Sequence, residues 1–129
     1  MNAIADTNTY LAVVLNEPEK PRIIELSANR EILSPEILPY EIGNALSAIV
    51  KRKRLTADEA LTALQLARAI PVKLVQPDIS KSLEIALKFK IYAYDAYFLQ
   101  CALSLGCPLL TLDQRMQDIA RQLSITVLE

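Results

Sequence analysis

Histidine and tryptophan do not occur in this chain of 129 residues. Without an imidazole there is no Ser-His-Asp or Cys-His nucleophile, no His-ligated zinc and no histidine general base. Any catalysis must therefore rest on carboxylates. Only two cysteines are present. Cys101 and Cys107 have no second pair, so neither a zinc framework nor a CxxC redox motif can be assembled, and both read as reduced, buried, small apolar residues. An excess of basic charge is missing as well. Fourteen Lys and Arg face fifteen Asp and Glu, a net charge of −1, which excludes a generic polyanion coat. The uninterrupted apolar runs fall far short of a membrane span, and no basic leader precedes Asp6. These absences predict a soluble cytoplasmic protein with no membrane partner.

What is present is apolar and helical. Hydrophobic residues make up 52% of the chain and charged ones 22%, a balance that excludes a disordered tail. The length predicts one domain over residues 1–129. Ala3 to Ala5 predicts a strand, Thr9 to Leu15 a helix, and Arg22 to Ala28 another helix after Pro18 and Pro21. A second strand is expected at Glu31 to Leu33. Ser34-Pro35-Glu36 carries a helix-start pattern, opening a helix to about Lys53 that Pro39 restarts or kinks. Thr56 to Glu59 has the capping-box pattern. Val72 to Val75 predicts a third strand. Next comes a helix after Pro77-Asp78, with Ile79, Leu83, Ala86 and Leu87 at helical spacing. A further helix from near Asp95 stops at Gly106. Leu109 to Thr111, a helix over Asp113 to Leu123, and a last strand over Ile125 to Leu128 complete the chain. Strands alternating with helices imply parallel pairing, hence a three-layer α/β/α sandwich on about five short strands.

In open parallel sheets, ligands bind beyond the carboxyl ends of the strands. Asp6 and Asp113 fall at two such ends, and both also suit a helix N-cap. Asp95 stands at another helix start. Glu41 sits at the edge of the stripe Ile37, Leu38, Ile42, Ala45, Leu46 and Ile49, where a carboxylate is costly unless a cation meets it. No lysine or arginine stands at helical spacing to do so; a metal ion would. Four acids on one strand-end cleft would form the oxygen-rich site that Mg²⁺ or Mn²⁺ prefers, and such ions act on phosphodiesters. Eleven acids then remain against fourteen bases, a surface of net +3 that suits a polyanion. The basic run Lys51 to Arg54 reads first as a helix C-terminus complementing the dipole. Tyr92, Tyr94 and Tyr97 read first as core or interface packing, with base stacking as the other reading. Gly43, in mid-helix, implies a close contact or none at all.

Together these residues resemble the PIN domain, in particular the VapC-type toxins of bacterial toxin–antitoxin pairs. The similarity runs nearly end to end. It takes in Ala5-Asp6-Thr7-Asn8, Leu15-Asn16-Glu17-Pro18, Ser34-Pro35 with Glu41-Ile42-Gly43-Asn44, Tyr94-Asp95-Ala96-Tyr97, and Leu105 through Asp113. The resemblance implies a metal-dependent endoribonuclease on a five-stranded parallel sheet, dimeric and held inactive by a cognate antitoxin. Asp6, Glu41, Asp95 and Asp113 align with the family's acidic site, which would bind Mg²⁺ or Mn²⁺ and do the catalysis. Thr7, Asn8 and Thr111 fall at adjoining polar positions that orient those acids. The extra acid of some relatives is not matched: Tyr97, Phe98, Gln114 and Arg115 stand in those neighbourhoods, with Asp118 a turn farther on. RNA is the implied substrate. The alternative is a PIN-like module that binds RNA or protein without cutting. Apolar helices with few aromatics also predict surface left over for a homodimer, and a separate groove for an amphipathic antitoxin helix.

Overall fold

A computed structural model describes the whole chain, Met1–Glu129. Its central strand is β1, Asn2–Ala5, where Ala3, Ile4 and Ala5 are all buried. A strand covered on both faces has no alternation, which is why this run is apolar throughout. Three further strands lie parallel in the order β3-β2-β1-β4: β2 is Glu31–Pro35, β3 is Lys73–Val75 and β4 is Leu109–Leu110. Ile4 is in register with Leu33 on one side and Leu109 on the other. The last predicted strand contributes one parallel bridge, Leu109 with Val127. Leu109 N donates to Thr126 O and Leu128 N donates to Leu109 O, so the fifth strand is only begun.

Seven helices flank this sheet. After β1 come α1 (Thr7–Val14) and α2 (Lys20–Ser27). Between β2 and β3 lie α3 (Leu38–Lys51) and α4 (Ala57–Ala69). Then α5 (Ile79–Phe89) and α6 (Ala93–Leu105) precede β4, and α7 (Gln114–Gln122) follows it. The capping box at Thr56 is formed, Glu59 N donating to Thr56 Oγ1 and Thr56 N donating to Glu59 Oε1. Gly106 closes α6 at φ +62°, a left-handed turn that a residue without Cβ adopts freely. α6 packs on β1 and β2 and buries Ala96, Phe98, Leu99, Gln100, Cys101 and Ala102 in succession. Such all-round burial marks a core helix. Buried Gln100 is satisfied, its Oε1 accepting from Asp78 N at 2.9 Å. A contiguous core of 27 buried residues ties both sides of the sheet together.

Two local expectations are overturned. Ser34 and Pro35 do not start a helix: both lie in β2, where the Ser34 hydroxyl donates to Ala5 O at 2.7 Å. The proline of the helix start is Pro39, in the first turn of α3. Two Pro-containing starts compete in this stretch, and β2 takes the first because pairing with β1 and β3 satisfies its backbone. In α5 the buried stripe is Ser82, Ile85, Ala86 and Phe89, whereas Ile79, Leu83 and Leu87 are exposed. Both stripes have helical spacing, so periodicity alone does not choose between them.

Gly43 is exposed in the middle of α3, and a Cβ added there meets nothing within 4 Å. Alanine removes the entropy that glycine loses in a helix, so Gly43→Ala is expected to stabilise the fold by about 0.5–1 kcal/mol. The melting temperature should rise by roughly 2–5 °C, as read by calorimetry; a fall would mean that the helix needs a close neighbour at this position.

Candidate active site

The sheet order reverses direction at β1, with β2 on one side and β4 on the other, and such switch points open a crevice beyond the strand ends. Asp6 follows β1 and Asp113 follows β4, so the two acids enter on neighbouring strands. Asp6 is 5% exposed. As the N-cap of α1 it accepts on Oδ1 from Thr9 N at 3.1 Å and from Thr9 Oγ1 at 2.7 Å. Its Oδ2 accepts from the Thr111 hydroxyl. Thr111 also accepts from Asp113 N at 3.1 Å. One threonine thereby ties the Asp6 carboxylate to the backbone of the second acid. Asp113 caps α7, Oδ1 accepting from Met116 N at 3.0 Å. For both aspartates the cap role and the site position coincide.

Glu41 extends from the first turn of α3, and Thr7 Oγ1 donates to its Oε1 at 2.7 Å. Asp95 lies in the first turn of α6 without capping it; the cap position belongs to Tyr92. Asp6, Glu41 and Asp95 line one cleft of about 410 Å³, together with Thr7, Asn8 and Asn44. Asp113 adjoins this cleft rather than lining it, although its charge acts on both Asp6 and Asp95.

The electrostatics are uncompensated. Burial, opposed by the Thr111 and Thr9 donors, pushes the Asp6 carboxyl above its ordinary range, and Asp113 adds to the rise. Burial also raises Glu41, against the Thr7 bond, with further repulsion from Asp95 and Asp6. Asp95 is raised by burial and then by Asp113 and Asp6. Ion pairs are confined to Arg22–Glu25, Arg121–Asp118 and Arg121–Glu129, so no cation of the chain meets these acids. Repelling oxygen donors with no counter-charge fit a hard divalent cation. Yet no three Asp, Glu or Cys side chains stand close enough to enclose an ion. Mg²⁺ keeps several waters and is characteristically held by one or two carboxylates, so a spread set of acids suits it better than a closed cage.

Thr9 is the polar residue that the sequence reading missed. It makes two of the three hydrogen bonds on Asp6 and donates a further one to Leu110 O at 3.2 Å. The legible signal was a hydroxyl three residues after an N-cap aspartate. Asn44 and Tyr40 also line the cleft unforeseen. Tyr92 and Tyr94 are exposed rather than packed in the core, and Lys51 to Arg54 form an exposed helix end. Cys101 and Cys107 are buried and unpaired, and burial pushes the Cys101 thiol up to about 11, which keeps it inert.

A parallel sheet with carboxylates gathered beyond its switch point defines an α/β protein with an acidic strand-end site. This chain belongs to the PIN domain family, which matches residues 3–122. It is 30% identical over 126 residues to the VapC ribonuclease Mb0985 of Mycobacterium bovis, covering 96% of each chain. Two solved structures share the fold. One is PAE2754 of Pyrobaculum aerophilum, at a TM-score of 0.69 and 18% identity over 96% of each chain. The other is VapBC2 of Rickettsia felis bound to a DNA fragment from its promoter, at a TM-score of 0.66 and 16% identity, covering 100% of this chain and 98% of that one.

A carboxyl whose folded pKa is raised favours the protonated form, so its contribution to stability is present at low pH and lost as pH rises through the folded value. Glu41→Gln keeps the shape and removes the charge. In EDTA at neutral pH it should melt higher by roughly 1–3 °C, a modest gain because Glu41 is half-exposed and screened. The gain should shrink as pH falls through the carboxylate range. Thermal melts across pH check this; a lower melting temperature for the variant would mean that Glu41 has a stabilising partner.

Proposed function

We propose that this chain is an Mg²⁺- or Mn²⁺-dependent endoribonuclease, the toxin of a toxin–antitoxin pair, acting in the cytoplasm as one domain over residues 1–129. The observation that carries the reading is the cleft itself: Asp6, Glu41 and Asp95 share it, Asp113 adjoins it, and no cation of the chain neutralises them. The ribonuclease names of the relatives agree with that chemistry.

Asp6, Glu41, Asp95 and Asp113 are the residues among which the ion would be held, one or two of them directly. When bound, a divalent cation supplies Lewis-acid activation of water and charge stabilisation at the phosphodiester. The chain's own part is positioning. Thr9 and Thr111 lock Asp6 in one orientation, and Thr7 fixes Glu41. Asn8, exposed at the start of α1, offers an amide to the substrate side of the cleft. Held this way, the acids need little reorganisation when charge develops.

Asp6→Asn and Asp113→Asn should each slow RNA cleavage by at least about 100-fold, with circular dichroism unchanged. EDTA should abolish cleavage in the wild type. Wild-type rates in both variants, or cleavage indifferent to EDTA, would overturn the assignment; RNA that binds and stays uncut would point to the non-cleaving module. Saturating Mg²⁺ should raise the melting temperature of the wild type more than that of Glu41→Gln, because only the intact site binds it well.

The partners in this reading are RNA, a cognate antitoxin and a second copy of the chain. An apolar groove of about 1040 Å³ runs along α3, α4 and β3, and Leu61, Leu66, Ile79, Leu83 and Leu87 stand exposed. Apolar surface of this extent favours burial against protein. Light scattering at tens of micromolar should give the mass of a dimer; a strict monomer would count against self-association.

A further inference from the structure

We propose that Tyr40 and Tyr94 form an aromatic platform at the rim of the carboxylate cleft, on which unpaired bases of a single-stranded RNA stack. The proposal rests on the ribonuclease reading and assigns to that site two residues that bind the substrate's bases. Both rings line the cleft, and both are open to solvent, Tyr40 at 75% and Tyr94 at 57% exposure. Each immediately precedes a cleft acid, Tyr40 before Glu41 and Tyr94 before Asp95, in the first turn of its helix. The site thus repeats one local device on α3 and on α6: an exposed ring followed by an inward carboxylate. The Tyr94 ring is braced edge-on by half-buried Tyr97, at 6.3 Å between centroids and 79° between planes. A braced ring loses little freedom when a base lands on it.

The charge distribution explains why such a platform is needed. Single-strand binders ordinarily track the backbone with a cationic groove. Here no lysine or arginine lines the cleft, and the dense basic run, Lys51 to Arg54, lies at the far end of α3, so no cationic side chain holds a phosphate beside the acids. Base–aromatic stacking does not depend on charge and is worth roughly tenfold or more in affinity per base. It also selects the form of the substrate. Bases inside an A-form helix cover one another's faces, whereas loops and ends present them. Asn8 and Asn44, both exposed and lining the same cleft, carry amides suited to base edges. Tyr92, more exposed still at 83%, does not line the cleft and serves as the internal control.

The chain has no tryptophan and five tyrosines, so the part of its quenching that is lost in Tyr40→Ala and Tyr94→Ala reports stacking on those two rings. The probe is a short single-stranded RNA with phosphorothioate linkages, which resist cleavage, titrated into the intact protein in Mg²⁺. Emission should be quenched to saturation, and the same strand annealed to its complement should bind at least about tenfold more weakly. Tyr40→Ala and Tyr94→Ala should each weaken binding about tenfold and raise KM for unmodified RNA in proportion, with kcat changed less than about twofold. Phenylalanine at either position should restore both values, and Tyr92→Ala should change neither.

Equal affinity for the paired and unpaired strands would overturn the platform. So would alanine variants with unchanged KM and quenching, or phenylalanine variants as weak as the alanine ones. Alanine variants that dissociate a dimer in light scattering while binding RNA normally would assign the rings to protein contact and also overturn it. If the wild type cuts RNA and the alanine variants keep its KM, the platform alone falls. If the wild type neither binds nor cuts any RNA, the ribonuclease reading falls with it.

Discussion

The buried carboxylate of Asp6 is the point on which the rest of the site depends. It sits between β1 and β4 with no cation beside it, held by Thr9 N, Thr9 Oγ1 and Thr111 Oγ1. Each donor comes from an element that the fold must place correctly. Thr9 is available only if α1 begins directly after β1, and Thr111 only if β4 pairs with β1 in the observed register. A slip of one residue in a strand turns every side chain to the other face, so the register Ala5 with Leu110 is as much a site constraint as a packing one. The hydrogen bonds offset part of the cost of burying it.

The same arrangement builds a local weakness into a well-packed molecule. The core is contiguous, and no buried side-chain polar atom lacks a hydrogen-bond partner. Against that background three raised carboxyls in one cleft stand out. Their shared cause is burial, with mutual repulsion added. A chain selected for stability alone would place an arginine among them or replace Glu41 by an apolar residue. Retaining bare acids is the pattern of a site whose function needs charge, at the expense of the apo fold.

The surface divides by chemistry in a parallel way. Polar residues and two exposed tyrosines surround the acids, while α3, α4 and β3 present an apolar groove. Ile37 and Tyr40 border both regions. The first turn of α3 therefore lies between the cleft and the apolar groove. Membership of the PIN family accounts for the parallel sheet flanked by helices.

Much of this was legible from residue order. Asp6, Glu41, Asp95 and Asp113 could be singled out as candidates because acids at strand ends and helix starts are positional signals and because Glu41 broke an apolar stripe; the structure gathers the first three in one cleft with Asp113 beside it. The capping box at Thr56 and the glycine closing α6 are local devices, decided within four or five residues, and both formed as read. Three features needed the tertiary structure. Ser34 and Pro35 went to β2 because pairing with strands distant in sequence outweighed a local helix start. In α5, two stripes of equal spacing competed, and only the seat of that helix beside α6 decided that Ile85 and Phe89 go inside while Leu83 and Leu87 stay out. Thr9 and Thr111 became partners of one carboxylate only when strands more than a hundred residues apart came into register. Short-range signals are set by the backbone's own sterics and hydrogen bonds. The choice among equivalent faces is set by what the rest of the chain packs against them.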